Sequence, residues 1–155
     1  MGSVERAFFC QSEPCWLRKR RYNAIQRAGK RYEAKVLQKL VGLYGDWLLP
    51  SPWITFYQGG RWQWIQPDAL IVRPDLGLIG VVEVKLSHVA KAWKQMWEQY
   101  VPVLKVMFPS PLWSIRCTEI CKVFNPMVRM PGPQQVCMRP LEHDWNVTGV
   151  CCWVR

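Results

Sequence analysis

Acidic side chains are scarce in this chain: of its 155 residues, 11 are Asp or Glu, against 21 Lys and Arg, for a formal net charge of +10. Histidine is scarcer still. His88 and His143 are the two present, and neither has a second histidine or a carboxylate at ligand spacing. A histidine-based metal centre and a Ser–His–Asp hydrolase therefore find no support. The absence of a glycine-rich phosphate loop disfavours an ATP-driven enzyme. No apolar stretch is long enough to span a bilayer, which argues against an integral membrane protein. The first residues carry Glu5 and Arg6 and no extended apolar segment, so no signal peptide is expected. Internal repeats, low-complexity tracts and long Gly/Ser linkers are also missing, and the length suits one domain over residues 1–155. Residues 1–15 read as an irregular leader.

Hydrophobic residues make up 50% of the chain and charged ones 21%, enough to fill a core and too apolar for disorder. Seven cysteines (Cys10, Cys15, Cys117, Cys121, Cys137, Cys151 and Cys152) are spaced irregularly and odd in number. That usage predicts reduced thiols and a cytoplasmic location, in a host cell if the chain is viral. Cys10-x4-Cys15 and Cys117-x3-Cys121 lack the tight spacing of a zinc knuckle, so the expected role is that of buried small hydrophobes.

The positive charge is concentrated. Residues 18–39 hold Arg18, Lys19, Arg20, Arg21, Arg27, Lys30, Arg31, Lys35 and Lys39 against Glu33 alone. Such a balance favours a polyanionic partner, of which nucleic acid is the commonest; a solvated helix face is the alternative for the same run.

Periodicity predicts a helix from about Trp16 to Tyr44, with a break at Gly29, ended by Pro50-Ser51-Pro52. Strand-like runs follow at 53–58, 61–65, 68–73 and 78–84, with turns at Gly59-Gly60 and Pro74–Gly77. Helical spacing returns over 88–107 and stops at Pro109 and Pro111. Extended segments near 113–124, 134–138 and 147–154 complete a mixed α/β pattern around one central sheet.

The chemistry-bearing stretch is Pro67-Asp68 followed by Glu83-Val84-Lys85. With the turn centred between Asp75 and Leu76, an unbulged hairpin puts Asp68 directly opposite Glu83. Opposed side chains share a face, and Lys85 projects from that face too. Two opposed carboxylates destabilise a sheet unless something compensates. A divalent cation does so, and Mg²⁺ commonly takes one or two carboxylates, several waters and a phosphate oxygen. Lys85 beside it suits orienting or deprotonating a water and steadying phosphate charge. At about 100° per residue, Glu33 falls within the apolar stripe of Val36, Leu37, Leu40, Val41 and Tyr44, away from Arg31, Lys35, Gln38 and Lys39. A lone carboxylate there needs a partner; a cation at the sheet end, or a salt bridge in the first turn, would serve.

Pro67-Asp68 ahead of Glu83-Val84-Lys85 resembles the active-site signature of the PD-(D/E)XK nuclease superfamily, and Gly29-Lys-Arg-Tyr-Glu33 resembles its upstream acidic motif. The resemblance spans roughly residues 25–125. It implies an α/β, restriction-endonuclease-like αβββαβ core and Mg²⁺- or Mn²⁺-dependent hydrolysis of phosphodiesters. By it, Asp68 and Glu83 are metal ligands, Lys85 is the catalytic lysine, Glu33 is an accessory acid, and the Val84 carbonyl faces the metal. Recombination-type members carry Gln-x-x-x-Tyr on the following helix; here Gln95 and Gln99 precede Tyr100 by five and one. Size and charge fit Holliday-junction resolvases and phage-type endonucleases best.

The expected partner is DNA, with RNA left open, and a homodimer is consistent with duplex or junction cutting. Arg18, Lys19, Arg20, Arg21, Arg27, Lys30 and Arg31 would track phosphates, as would Lys91, Lys94 and Gln95 on the second helix. No separate recognition module is visible, so cutting is expected to be structure-dependent or degradative. A basic binding module on the same fold, without chemistry, is the alternative. Trp93, Trp97 and Tyr100 form a core stripe, while Trp62 and Trp64 alternate on a strand, where core packing and base stacking are both open.

Overall fold

Asn23 sets where the first helix begins. Its side chain accepts a hydrogen bond from the Gln26 backbone N–H (2.8 Å), and the Gln26 side chain accepts one from the Asn23 N–H (3.0 Å). This reciprocal cap satisfies two donors that would otherwise lack partners, and α1 runs Ala24–Tyr44. The helix therefore starts later than periodicity predicts, and it passes Gly29 without a break. It ends at Gly45, whose φ of 54° suits glycine.

The computed structural model describes residues 2–15, 17, 19–130, 135–137 and 149–152. Nine strands follow among them: β1 (Val4–Phe9), β2 (Leu48–Pro50), β3 (Ile54–Gln58), β4 (Arg61–Ile65), β5 (Ala69–Arg73), β6 (Leu78–Ser87), β7 (Ser114–Val123), β8 (Gln135–Cys137) and β9 (Gly149–Cys152). The segment between β6 and β7 is helical, as α2 (Ala90–Gln95), a π-turn (Met96–Tyr100) and α3 (Val101–Met107).

Two sheets form rather than one. The larger has the order β2-β5-β6-β7-β9-β8 and the smaller β1-β3-β4. Residues 4–9, read as irregular from the sequence, are a strand because they pair antiparallel with β3. Within the larger sheet β2–β5 and β5–β6 are antiparallel, and the helical crossover makes β6–β7 parallel. The β3–β4 hairpin is thus an excursion between β2 and β5 that turns at Gly59 and Gly60, both at positive φ.

The larger sheet is covered on both faces, so β5 and the first half of β6 read as near-continuous apolar runs. Tyr32, Val36 and Leu40 of α1 pack on Ala69, Ile71, Val82 and Val84. Trp93, Met96 and Leu104 of the crossover pack on Leu70, Ile79 and Val81, joined by Ile54, Phe56 and Ile65 of the smaller sheet. Cys117, Cys121 and Cys151 are buried as expected of small hydrophobes, whereas Cys10 is half-buried and Cys15 is exposed. His143 and Arg18 lie outside the described residues.

Candidate active site

The β5–β6 register is the one the turn predicts. Ala69 opposes Val82 and Arg73 opposes Leu78, so Asp68, one residue before β5, comes level with Glu83. Its side chain turns onto the β6 backbone, where Oδ2 accepts the Val84 N–H at 2.7 Å. Glu83 is 2% exposed. Its Oε1 accepts from Lys85 Nζ at 2.7 Å, and its Oε2 is buried with no hydrogen-bond partner among the described residues.

Glu33 approaches from α1. The buried stripe of that helix is Tyr32, Val36 and Leu40, while Val41 is exposed, so Glu33 lies at the stripe's flank rather than in its middle. Its side chain is 15% exposed and its carboxylate takes Lys30 Nζ at 2.9 Å. Gly29, Lys30, Glu33, Asp68, Val84 and Lys85 line one cleft of about 370 Å³.

The electrostatics follow from this crowding. Burial, then the Glu83 and Glu33 carboxylates, push Asp68 up to about 7 despite its bond from Val84. Burial likewise raises Glu83, against the pull of Lys85. Burial works to lower Lys85, but Glu83, Asp68 and Glu33 outweigh it, so its ammonium is held above the usual lysine range. Lys30 is raised in the same way by Glu33, against burial.

The donor set fits a hard divalent cation. All its side-chain donors are carboxylate oxygens, and the orphaned Glu83 Oε2 is a buried lone-pair site aimed at no hydrogen. Asp68, Glu83 and Glu33 are the residues that would hold it.

Two features of this neighbourhood escaped the sequence reading. The first is Glu119, which pairs in parallel register with Glu83 and is fully buried. Its Oε2 lies 3.1 Å from His88 Nδ1, and its Oε1 accepts the Val89 N–H at 3.2 Å. Burial raises it to about 7, with Glu83 adding to the effect, and burial lowers His88. With Cys121 these residues bring N, O and S ligand atoms within 4.8 Å of one another. The available signal was a lone acid in the apolar run Cys117–Cys121, the same signal that picked out Glu33.

The second is Tyr100, read as core. It is buried, yet its hydroxyl donates to the Gln66 carbonyl (3.2 Å) and accepts from Gln95. Burial, then Glu83 and Asp68, raise its pKa well above the tyrosine range. The π-turn brings these two together. It widens the helix by a residue, so Gln95 and Tyr100, five apart, meet as residues four apart do on an α-helix.

The remaining basic positions are distributed as follows. Lys19, Arg20, Arg21, Arg27, Lys30 and Arg31 are exposed at or before the start of α1, and Arg27 also donates to the Tyr22 carbonyl at 2.9 Å. Lys91 is exposed, and Lys94 sits 4.0 Å from Glu98. Gln95 is turned inward to Tyr100 instead of outward to a phosphate backbone, because the π-turn places its amide beneath that hydroxyl.

No family model matches the chain, and no curated protein or solved structure is significantly similar to it. No described helix is long and apolar enough to cross a membrane.

Proposed function

We propose that this chain is a Mg²⁺- or Mn²⁺-dependent nuclease of the PD-(D/E)XK type that hydrolyses DNA phosphodiester bonds without reading sequence. The observation that carries the reading is that Asp68, Glu33 and Lys85 line one cleft while Glu83, buried beside it, binds Lys85 through one oxygen and has no partner for the other among the described residues. Two further features support it. Leaving aside the β3–β4 excursion, the elements of the larger sheet run α1, β2, β5, β6, helix, β7, the αβββαβ order the resemblance implies. The π-turn also makes Gln95 and Tyr100 equivalent to a Gln-x-x-x-Tyr pair.

A bound divalent cation would polarise the scissile phosphate and lower the pKa of an attacking water. Asp68 and Glu83 supply its negative ligands, and the Val84 N–H fixes the Asp68 rotamer. Lys85, held charged beside Glu83, is suited to orienting the water and offsetting charge on the phosphate in transition rather than to removing a proton. Glu33, paired with Lys30 at the cleft, would be an accessory ligand.

The decisive experiment is Lys85→Ala. Cleavage with Mg²⁺ or Mn²⁺ should fall by at least about a hundredfold, while salt-sensitive DNA binding stays near the parent's. Undiminished cutting by the variant overturns the mechanism. Binding without cutting by the parent, across single-stranded, duplex, flapped and four-way DNA, replaces it with a non-catalytic binding module.

A further inference from the structure

We propose that the outer face of the three-stranded sheet is a stacking platform for the bases of single-stranded nucleic acid. The proposal takes from the nuclease reading only where a bound strand would lead.

The face is defined by register. Arg6, Tyr57 and Trp62 form one row across β1, β3 and β4, and Phe8, Thr55 and Trp64 form the next. Side chains two residues apart along a strand share a face. The opposite face holds Ile54, Phe56 and Ile65, which enter the core. The aromatic rows therefore point away from it.

Phe8 and Trp62 are exposed, Tyr57 and Trp64 are half-buried, and ring contacts hold the exposed pair in place. Phe8 is 52% and Trp62 41% exposed. Trp62 meets Phe8 edge-on at 5.5 Å between centroids and Tyr57 at 5.3 Å. The Arg6 guanidinium lies 5.5 Å from the Tyr57 centroid and 5.8 Å from that of Trp62. Aromatic side chains fixed by such contacts lose little entropy on binding. A contiguous exposed apolar patch marks an interaction surface.

Charge and continuity choose the occupant. A cation lies within the face, Arg61 is exposed at its edge, and the chain carries +10, which suits a polyanion with flat bases. β4 then leads through Gln66 and Pro67 to Asp68. Trp64 is four residues from Asp68, a chain distance of at most about 14 Å. A strand lying on the platform would thus run toward the cleft. Bases in a duplex are stacked on one another and hide their faces, so the platform selects unpaired ones.

The test is binding of the full chain to oligo-dT and to a blunt duplex, without divalent metal, by fluorescence anisotropy over a salt series. Trp62→Ala and Phe8→Ala should each weaken oligo-dT binding by about tenfold or more. Duplex affinity and the salt slope should not move, since no phosphate contact is lost. Trp62→Tyr should restore most of the loss. Unchanged oligo-dT affinity in both variants overturns the proposal. So does equal loss on both forms, or conversion of a dimer to a monomer by Trp62→Ala, which would make the face a self-association surface. Because binding is read without metal, a protein that holds oligo-dT through Trp62 but never cuts keeps the platform and loses the nuclease reading. Lys85-dependent cutting with Trp62-independent binding does the reverse.

Discussion

Burial and two neighbouring carboxylates oppose the ionisation of Asp68, and the consequence is a stability that depends on pH with a definite sign. The group titrates near 7 when folded and near 3.9 in an unfolded chain. Its contribution to stability is complete below the unfolded value and is lost as pH rises through about 7. Glu119, also near 7, acts in the same direction. A cation held by Asp68 reverses that group's trend, because it binds the charged form. Mn²⁺ should therefore raise the melting temperature more at pH 8 than at pH 5.5. Asp68→Asn keeps an acceptor for the Val84 N–H and removes the charge, so it should melt higher than the parent at pH 8 without metal and respond little to Mn²⁺. A Mn²⁺ response in that variant equal to the parent's would remove Asp68 from the ligand set. Asp68, Glu83 and Lys85 were legible in the sequence because one tight turn fixes all three. Glu119 was not, because its place beside Glu83 depends on a parallel pairing across the helical crossover, and no local pattern sets that register.

Among the secondary-structure elements, what local chemistry decides was legible and what tertiary packing decides was not. Gly59-Gly60 and Pro74–Gly77 announce their turns, and the β5–β6 register follows from the second. Periodicity over 16–44 overran the true helix start, because the stripe says nothing of the Asn23 cap that terminates it. The π-turn was invisible for the opposite reason. Its extra residue keeps Trp93 and Tyr100 buried but shifts the phase between them, so that Met96 is buried and Trp97, expected in the same core stripe, is 38% exposed. Insertion of one residue into an α-helix is accommodated in this way, and its removal should be tolerated. Deleting the exposed Glu98 leaves four residue steps between Gln95 and Tyr100, which a regular helix brings together without a π-turn. The shortened protein should fold, melt within a few degrees of the parent and retain Lys85-dependent cleavage. Tyr100→Phe, which leaves the Gln66 carbonyl and the Gln95 amide without their hydroxyl, should cost about 1–3 kcal/mol, measured by urea unfolding. A Glu98 deletion that unfolds the chain would show that the π-turn positions more than this pair.

For the whole molecule, the α/β class was legible but the split into two sheets was not, since an alternating hairpin such as 54–65 reads alike whichever sheet it joins. Pairing of β1 with β3 is a long-range choice, made where Ile54, Phe56 and Ile65 can cover the crossover helix. That choice leaves an aromatic face on the outside of the smaller sheet, while the basic run lies on and ahead of α1, which lines the cleft. The two surfaces should be separable by salt. Arg20 and Arg21 are exposed ahead of α1, whose first turns line the cleft through Ile25, Gly29 and Lys30. Phosphate contacts release counterions, with a slope of about −0.9 per contact on duplex DNA and about −0.7 on single strands. The double variant Arg20→Ala/Arg21→Ala should therefore flatten the salt dependence by about 1.8 on duplex and about 1.4 on oligo-dT. It should weaken binding to both forms at low salt, whereas a Trp62 variant weakens only the single strand and leaves both slopes intact. Neither arginine is buried, so melting should stay within a degree or two of the parent. Slopes unchanged in the double variant would take the basic segment off the DNA path and leave the charge of this chain to solubility alone.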